Sequence, residues 1–308
     1  MHSDLFYQSG NLCQLSIGRG VSVSTAEREH WEGSAPAAAI GSMVVFQSAM
    51  ALTVPLLLAL GPSAATWLRL IGASAVLWIV ARPRYEELSR RAILIAGLLG
   101  VATCGMAVFY AEAIARIPLG MTTAIQFLGP LGVAVAASSG LRSAMWAALA
   151  GLGVVLLALT RSGWSVDPVG IGFALGAAAA WAGYILLTKR VGQAFAGLGG
   201  LTVSLTVAAM VATPVGLITL KDGASGWAMA ASAVLGVLVP VVPYGLEMLA
   251  LRRMTPRAFG VLMSLDPAIS TLAGFLLLHQ AISAQRAVGI LCVVAASVGA
   301  SLRGTANS

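Results

Sequence analysis

Two acidic residues, Glu247 and Asp266, stand inside long apolar runs of this 308-residue chain. An ionised acid at the centre of a membrane helix costs about 2.5 to 3.5 kcal/mol, and such residues usually face a bundle interior or an aqueous path. Asp266 precedes Pro267 near the middle of its run, where a proline frees helix carbonyls. We therefore expect a polar pocket at membrane depth, in which Asp266 exchanges protons or pairs with an ammonium group. The alternative is a structural role, as a cap on the proline-broken backbone or as a partner of Arg69.

Glu247 lies three residues after Tyr244, so the two side chains project from the same face of a helix. Pro240 and Pro243 precede them and make that helix bendable. Two interpretations follow. Either the pair lines a cavity, or Glu247 reaches the aqueous interface and pairs with Arg252, five residues further along the chain.

Arg69 is a basic residue inside another apolar run, one turn after Thr66. Its guanidinium group can hold a carboxylate in a bidentate fork, or it can neutralise buried acids of the protein itself. Tyr110 and Glu112 end a further run, with Arg116 one turn beyond. We expect Glu112 either in a solvated ion pair at this helix end or, together with Tyr110, at a substrate site.

Three more polar or aromatic residues lie at plausible midplane depth, namely Gln126, Trp181 and Tyr184. An amide offers hydrogen bonds and an aromatic ring offers a stacking surface, so all three are candidates to line a cavity. Trp and Tyr also mark the two membrane interfaces, and that is the alternative interpretation of Trp181 and Tyr184.

The composition indicates a membrane protein built from helices. Hydrophobic residues make up 58% of the chain and charged residues 9%, and the mean hydropathy is +0.91, whereas soluble domains carry roughly 25% charge. The runs are apolar throughout and long enough for a helix to cross a bilayer, without the alternation of barrel strands. The expected fold class is therefore all-α polytopic.

Several other classes of function are disfavoured. The basic pI near 9.9 is explained by positive residues at a cytoplasmic face, and no soluble basic module suggests a nucleic-acid partner. The three cysteines and three histidines are scattered, so we expect no disulfide framework, metal site or other cofactor. An enzyme is disfavoured because no Ser-His-Asp spacing, HExxH or Gly-rich loop ending in Lys appears. A channel is disfavoured because the sequence has no selectivity-filter signature or charged ring.

Ten membrane spans are predicted after Pro36, with connectors too short to form a soluble domain. Residues 1–35 are polar and aperiodic and predict a disordered cytoplasmic tail. The predicted spans are residues 37–60, 63–81, 92–113, 117–138, 144–160, 168–188, 197–220, 226–249, 258–278 and 285–302.

Lys and Arg are distributed unequally between the two sides of these spans. With a cytoplasmic N-terminus, thirteen lie on the cytoplasmic side and four on the other, which is a clear positive-inside bias. Both termini are therefore expected in the cytoplasm. The cytoplasmic residues are Arg19, Arg28, Arg82, Arg84, Arg90, Arg91, Arg142, Lys189, Arg190, Arg252, Arg253, Arg257 and Arg303, and the others are Arg116, Arg161, Lys221 and Arg286.

An internal repeat emerges when Pro130 is set against Pro267, an offset of 137 residues. The fourth and ninth spans then become equivalent, each half holds five spans, and an odd number of spans forces opposite orientations in the membrane. We expect a first five-helix repeat at residues 36–165 and a second at 166–303. The offset aligns Ala113 with Ala250, Arg116 with Arg253, Leu128 with Leu265, and Gly129 with Asp266.

These segments resemble the drug/metabolite transporter superfamily of EamA type and, within it, the threonine/homoserine exporter group. The resemblance covers nearly everything after residue 36. It implies ten helices in two inverted five-helix halves, a central cavity and proton-driven efflux of small amino acids. The chain departs from the group at Gln126 and Asp266, since glutamate is common at both positions. The segments that carry the resemblance are GPSAATWLRLIGAS (61–74), FYAEAIARIPLGMTTAIQFLGPLGVAV (109–135), AWAGYILLTKRVG (180–192) and VPYGLEMLALRRMTPRAFGVLMSLDPAISTLAG (242–274).

The sequence therefore predicts a secondary exporter of small amino acids in a bacterial inner membrane, working by alternating access and coupled to protons. Its expected partners are a small-molecule substrate, protons and the lipid bilayer, and a homo-oligomer remains open. A carrier of the same superfamily for another metabolite, a drug or an aromatic amino acid is the alternative, because a fold does not fix a substrate.

Overall fold

A computed structural model describes residues 34–81, 83, 89–136, 141–158, 167–195, 198–251 and 256–301. Every regular element in these ranges is a helix. The predicted tail before residue 34 and the basic turn at residues 252–255 lie outside them. The helices are α1 (Ser34–Leu60), α2 (Pro62–Val80), α3 (Arg90–Ile114), α4 (Leu119–Gln126), α5 (Leu128–Ala136), α6 (Leu141–Ala158), α7 (Pro168–Ala194), α8 (Gly199–Thr219), α9 (Gly226–Leu251), α10 (Pro256–Met263), α11 (Asp266–Leu278) and α12 (Ala284–Ser301).

The helices follow the predicted spans to within a few residues, the largest difference being at the end of α7, which reaches Ala194. The predicted spans at 117–138 and 258–278 each consist of two helices, so the break expected at Pro267 is present and a second one occurs near Pro130. The first span is interrupted at Phe127 and the second span at Ser264 and Leu265.

Proline explains both interruptions. Pro130 and Pro267 have no N–H to donate to the carbonyl four residues earlier, and their rings crowd that carbonyl. The carbonyls concerned belong to Gln126 and Met263, the residues at which α4 and α10 end. At the second break the backbone tightens, and the amide of Leu265 donates to the carbonyl of Leu262 at 2.9 Å, three residues back.

The helices have the length and surface of membrane spans. Within the described ranges, six helical segments are long and apolar enough to cross a bilayer, and four shorter apolar helices accompany them. Large apolar side chains such as Leu52, Ile79 and Ile218 are mostly exposed on the outside of the bundle. Lipid covers such a surface at no hydrophobic cost. The protein is therefore a polytopic helical membrane protein.

Helices from the first part of the sequence pack mainly on helices from its second part. Helix α1 packs on α9 and α11, which come late in the sequence. Helix α7 packs on α3, α4 and α5, which come early. Three further pairs, α2 with α8, α4 with α11 and α6 with α12, join one half to the other. Between α6 and α12 the contact is between backbones: a Cβ on Gly153 would lie 2.7 Å from the carbonyl oxygen of Gly289, and one on Gly289 would lie 2.9 Å from that of Gly153.

Candidate functional site

Asp266 is the first residue of α11, directly after the break, and only 8% of its surface is exposed. Its carboxylate meets Gln47 of α1, whose Nε2 donates a hydrogen bond to Oδ2 over 2.9 Å. The two residues are 219 positions apart, and the packing of α1 on α11 brings them together. The sequence predicts a polar pocket around Asp266, but no sequence pattern predicts that Gln47 belongs to it.

The other end of the Gln47 amide is unusual. Gln47 is 1% exposed, and its Oε1 has no hydrogen-bond donor among the described residues. A buried acceptor without a hydrogen bond lowers the stability of the fold by about 1 to 3 kcal/mol. A residue that keeps such an acceptor is therefore a candidate for binding a ligand. Gln47 therefore offers one end to Asp266 and a free acceptor to a partner with an N–H or O–H group.

Arg69 and Tyr110 complete the same neighbourhood from α2 and α3. The phenol of Tyr110 lies within electrostatic range of both Arg69 and Asp266. Its hydroxyl also forms a 3.0 Å hydrogen bond with the hydroxyl of Thr123 on α4. The Nε of Arg69 is buried and has no acceptor in the part of the chain that the structure describes. This guanidinium thus retains a donor for an anionic group.

Glu112 occupies a separate and already satisfied position. Ser63 of α2 donates to its Oε1, and Arg116 forms an ion pair with its Oε2. Arg116 also donates to the backbone carbonyl of Glu112 at 2.7 Å and lies 4.9 Å from the centre of the Phe173 ring on α7. The expected ion pair is present, but Glu112 is only 8% exposed, so the expectation that it is solvated is wrong. The hydroxyl of Ser63 and the close helix packing shield it from water.

Gln126 and Trp181 lie at the other broken span. Gln126 is the last residue of α4 and is half-buried. Trp181 of α7 packs edge to face against Phe127, the residue of the break, with ring centroids 5.6 Å apart. These residues are therefore close to the α4–α5 break, and their depth in the membrane stays a prediction.

Tyr184 lies well away from Tyr110. It packs against a buried cluster that includes Ala96 in the first half of α3, whereas Tyr110 is near the end of the same helix. Fourteen residues of helix separate Ala96 from Tyr110, which is about 20 Å.

Tyr244 and Glu247 belong to α9, but their side chains lie outside the described part of the structure. Among the residues it does describe, no group of three or more His, Cys, Asp or Glu could hold a metal ion.

Sequence similarity to curated relatives shows the family to which this chain belongs. The threonine/homoserine exporter RhtA of Salmonella typhimurium strain LT2 is 34% identical over 267 residues, covering 85% of this chain and 89% of that protein. The chain belongs to the EamA-like transporter family. The threonine/homoserine exporter RhtA of Escherichia coli strain K12 is 31% identical over 268 residues with the same coverage, and residues 168–302 match the EamA-like transporter family directly.

Membership in the EamA-like family identifies the protein as a transporter rather than an enzyme. A solved crystal structure has the same fold, with a TM-score of 0.58 over 88% of this chain and 97% of that chain at 18% identity. A transporter needs groups that bind its substrate reversibly inside the bilayer. Among the described residues, Gln47 and Arg69 are two buried polar side chains that each keep an unpaired atom, Oε1 and Nε respectively.

Proposed function

We propose that this protein exports small amino acids of the threonine and homoserine type across the bacterial inner membrane, by alternating access and in exchange for protons. The observation that carries the proposal is Asp266: a buried acid at a proline break, hydrogen-bonded across the bundle to Gln47. Acids retained at membrane depth commonly serve ion or substrate pathways. The relatives of this protein are named threonine/homoserine exporters.

The two ends of an amino acid match the two charged groups of the site. Arg69 has a free donor for the substrate carboxylate, and Asp266 has the opposite charge for the ammonium group. Tyr110 lies within electrostatic reach of both, so it can form the wall between them. A proton on Asp266 removes the charge that attracts the ammonium. Protons and substrate therefore compete, which is the requirement for exchange transport.

The proposed architecture is two inverted five-helix repeats, at residues 36–165 and 166–303, with ten spans and both termini in the cytoplasm. Three observations support it. The breaks before Pro130 and Pro267 have the same register at the 137-residue offset. The packing of α1 on α9 and α11 corresponds to that of α7 on α3, α4 and α5. Gly153 and Gly289 contact each other reciprocally, as residues near a two-fold axis do.

Transport into inverted membrane vesicles tests the function. We expect saturable uptake of labelled homoserine and threonine, driven by a pH gradient that is acidic inside, and counterflow when unlabelled substrate is preloaded. The Asp266→Asn protein is expected to lose the response to the gradient because it carries no exchangeable proton at this position.

Two results would contradict the proposal. Asp266→Asn protein that transports as fast as the wild type, with the same dependence on pH, would remove Asp266 from the coupling step. Uptake that neither saturates nor shows counterflow would indicate an open pore instead of a carrier. The amount of each protein in the vesicles is measured in parallel, so that poor insertion is not mistaken for lost transport.

A further inference from the structure

We propose that Gln47 is the residue that makes protonation of Asp266 and binding of the substrate ammonium mutually exclusive, by turning its side-chain amide. The inference rests on the proposed proton coupling and adds a specificity-determining residue to it. Its basis is the pair of facts already given for this amide: Nε2 donates to Asp266, and Oε1 is buried without a donor among the described residues.

The direction of the hydrogen bond between Gln47 and Asp266 depends on whether Asp266 is protonated. An ionised carboxylate only accepts hydrogen bonds, whereas a protonated one also donates through its O–H. The nitrogen end of the amide faces Asp266, as the ionised form requires. When Asp266 gains a proton, its new O–H needs an acceptor, and Oε1 of Gln47 becomes one if the amide turns by half a revolution about its last side-chain bond.

The end of the Gln47 amide that faces away from Asp266 changes its character at the same time. With Asp266 ionised, Gln47 presents the acceptor Oε1 away from the carboxylate. After the turn it presents an NH₂ group there instead. An ammonium group needs acceptors, so it binds between the carboxylate and Oε1 in the first state and meets a neutral acid and a donor in the second. A single proton thus changes two contacts of the substrate.

Few charged and titratable groups lie around Asp266 among the described residues. Of the helices packed on α11, neither α1 nor α4 carries any such side chain. The described part of α12 contributes Cys292 and Arg286, and the latter donates to the carbonyl of Ala281 beyond the far end of α11. Tyr110 interacts electrostatically with Asp266 and also with Arg69. Gln47 is neutral and bonds to Asp266 directly, so it can respond to the proton without adding a charge.

Homoserine transport at several pH values, with the Gln47→Met protein, tests the inference. Met has nearly the shape of Gln and no amide, so one of the two proton-dependent contacts is removed. We expect the KM at alkaline pH to rise about fivefold, the loss of one hydrogen bond. At acid pH the KM should change little, so the ratio of acid to alkaline KM should fall about fivefold. A KM that rises equally at every pH would mean that Gln47 only positions Asp266, and would overturn the inference.

A second measurement does not depend on the identity of the substrate. Infrared difference spectra of the wild-type protein in lipid, recorded as the pH is lowered, should show the carboxyl band of Asp266 and an amide change with the same midpoint. Asp266→Asn should lose both, and Gln47→Met should lose the amide change alone. An amide change that persists in Gln47→Met would overturn the inference. If the wild type transported neither amino acid, the proposed function would fail, and these spectra would still decide the role of Gln47.

Thr53→Val is the matched control. Thr53 is a buried polar residue on the same helix, and its hydroxyl donates to the carbonyl of Ala49 within α1 at 2.7 Å. We expect this variant to keep the wild-type KM ratio and the wild-type spectrum. A change in Thr53→Val as large as in Gln47→Met would show that any alteration of α1 disturbs the site, which would also overturn the inference.

Discussion

At the break between α4 and α5 the residue before the proline is Gly129, and at the break between α10 and α11 it is Asp266. A Cβ on Gly129 would overlap the carbonyl oxygen of Ala178 on α7, so at this break two helix backbones touch. At the other break the carboxylate of Asp266 meets the amide of Gln47 on α1. Two similar interruptions of the backbone thus lead to one closed contact and one polar site.

The comparison shows that the proline and the residue before it have different roles. Proline determines where the helix is interrupted, because it removes one backbone donor in either span. The residue before it determines whether the neighbouring helix is reached by its backbone or by a side chain. The break at Gly129 therefore forms a close backbone contact, and the break at Asp266 carries the group that we propose exchanges protons and substrate.

The largest effect is expected at the closed break. Gly129→Ala forces α5 and α7 apart, because the added methyl group has no space beside the carbonyl of Ala178. Overpacking of this kind should lower the free energy of unfolding by about 3 kcal/mol, measured by thermal or chemical denaturation in detergent. Gly132→Ala, on the same helix, is the control because a Cβ there meets nothing within 4 Å. Equal stability of the two variants would show that the breaks differ less than we conclude.

An intermediate effect is expected at Arg69, on the polar side of the comparison. Replacing it with Gln removes the charge proposed to hold the substrate carboxylate, at a cost of about 2 kcal/mol for a charged hydrogen bond, or about 30-fold in KM for homoserine. Inhibition by threoninol, which lacks the carboxylate, should be the same in both proteins. If Arg69→Gln were instead unstable with an unchanged KM, Arg69 would be a neutraliser of buried acids, the alternative that its sequence context also allows.

The smallest effect is expected at Gln126, the polar residue of the closed break. Gln126→Leu removes one neutral hydrogen-bonding group from a half-buried position, so the KM for homoserine should rise only about threefold. Transport assays with Gln126→Leu and Asp266→Asn side by side measure the contrast directly. A loss in Gln126→Leu as severe as that in Asp266→Asn would make the two broken spans equal partners in the chemistry.

Much of the helical framework was predictable because its causes are local. An apolar run of sufficient length forms a helix in lipid, since its backbone groups have no other partners there, and the observed ends lie close to the predicted ones. The interruption before Pro267 was predicted from the proline, and the one before Pro130 has the same cause but was not predicted. The inverted repeat and the membrane orientation remain predictions.

The partners of the buried acids were not predictable in the same way. Gln47 is uncharged and meets Asp266 across 219 residues of chain. Ser63 reaches Glu112 across 49 residues. No period or motif marks such pairs, because they depend on how the helices pack. Attention to amides as well as charges within apolar runs would have pointed to Gln47, whose side chain is the amide of α1.

The reciprocal contact of Gly153 and Gly289 has a mechanical consequence. Where two glycines meet, few side-chain atoms stand between the helix axes, and the side chains of Leu157, Cys292 and Val293 border the contact. The crossing of α6 and α12 can therefore serve as a pivot, because a tilt about it displaces the distant helix ends far more than the glycines themselves.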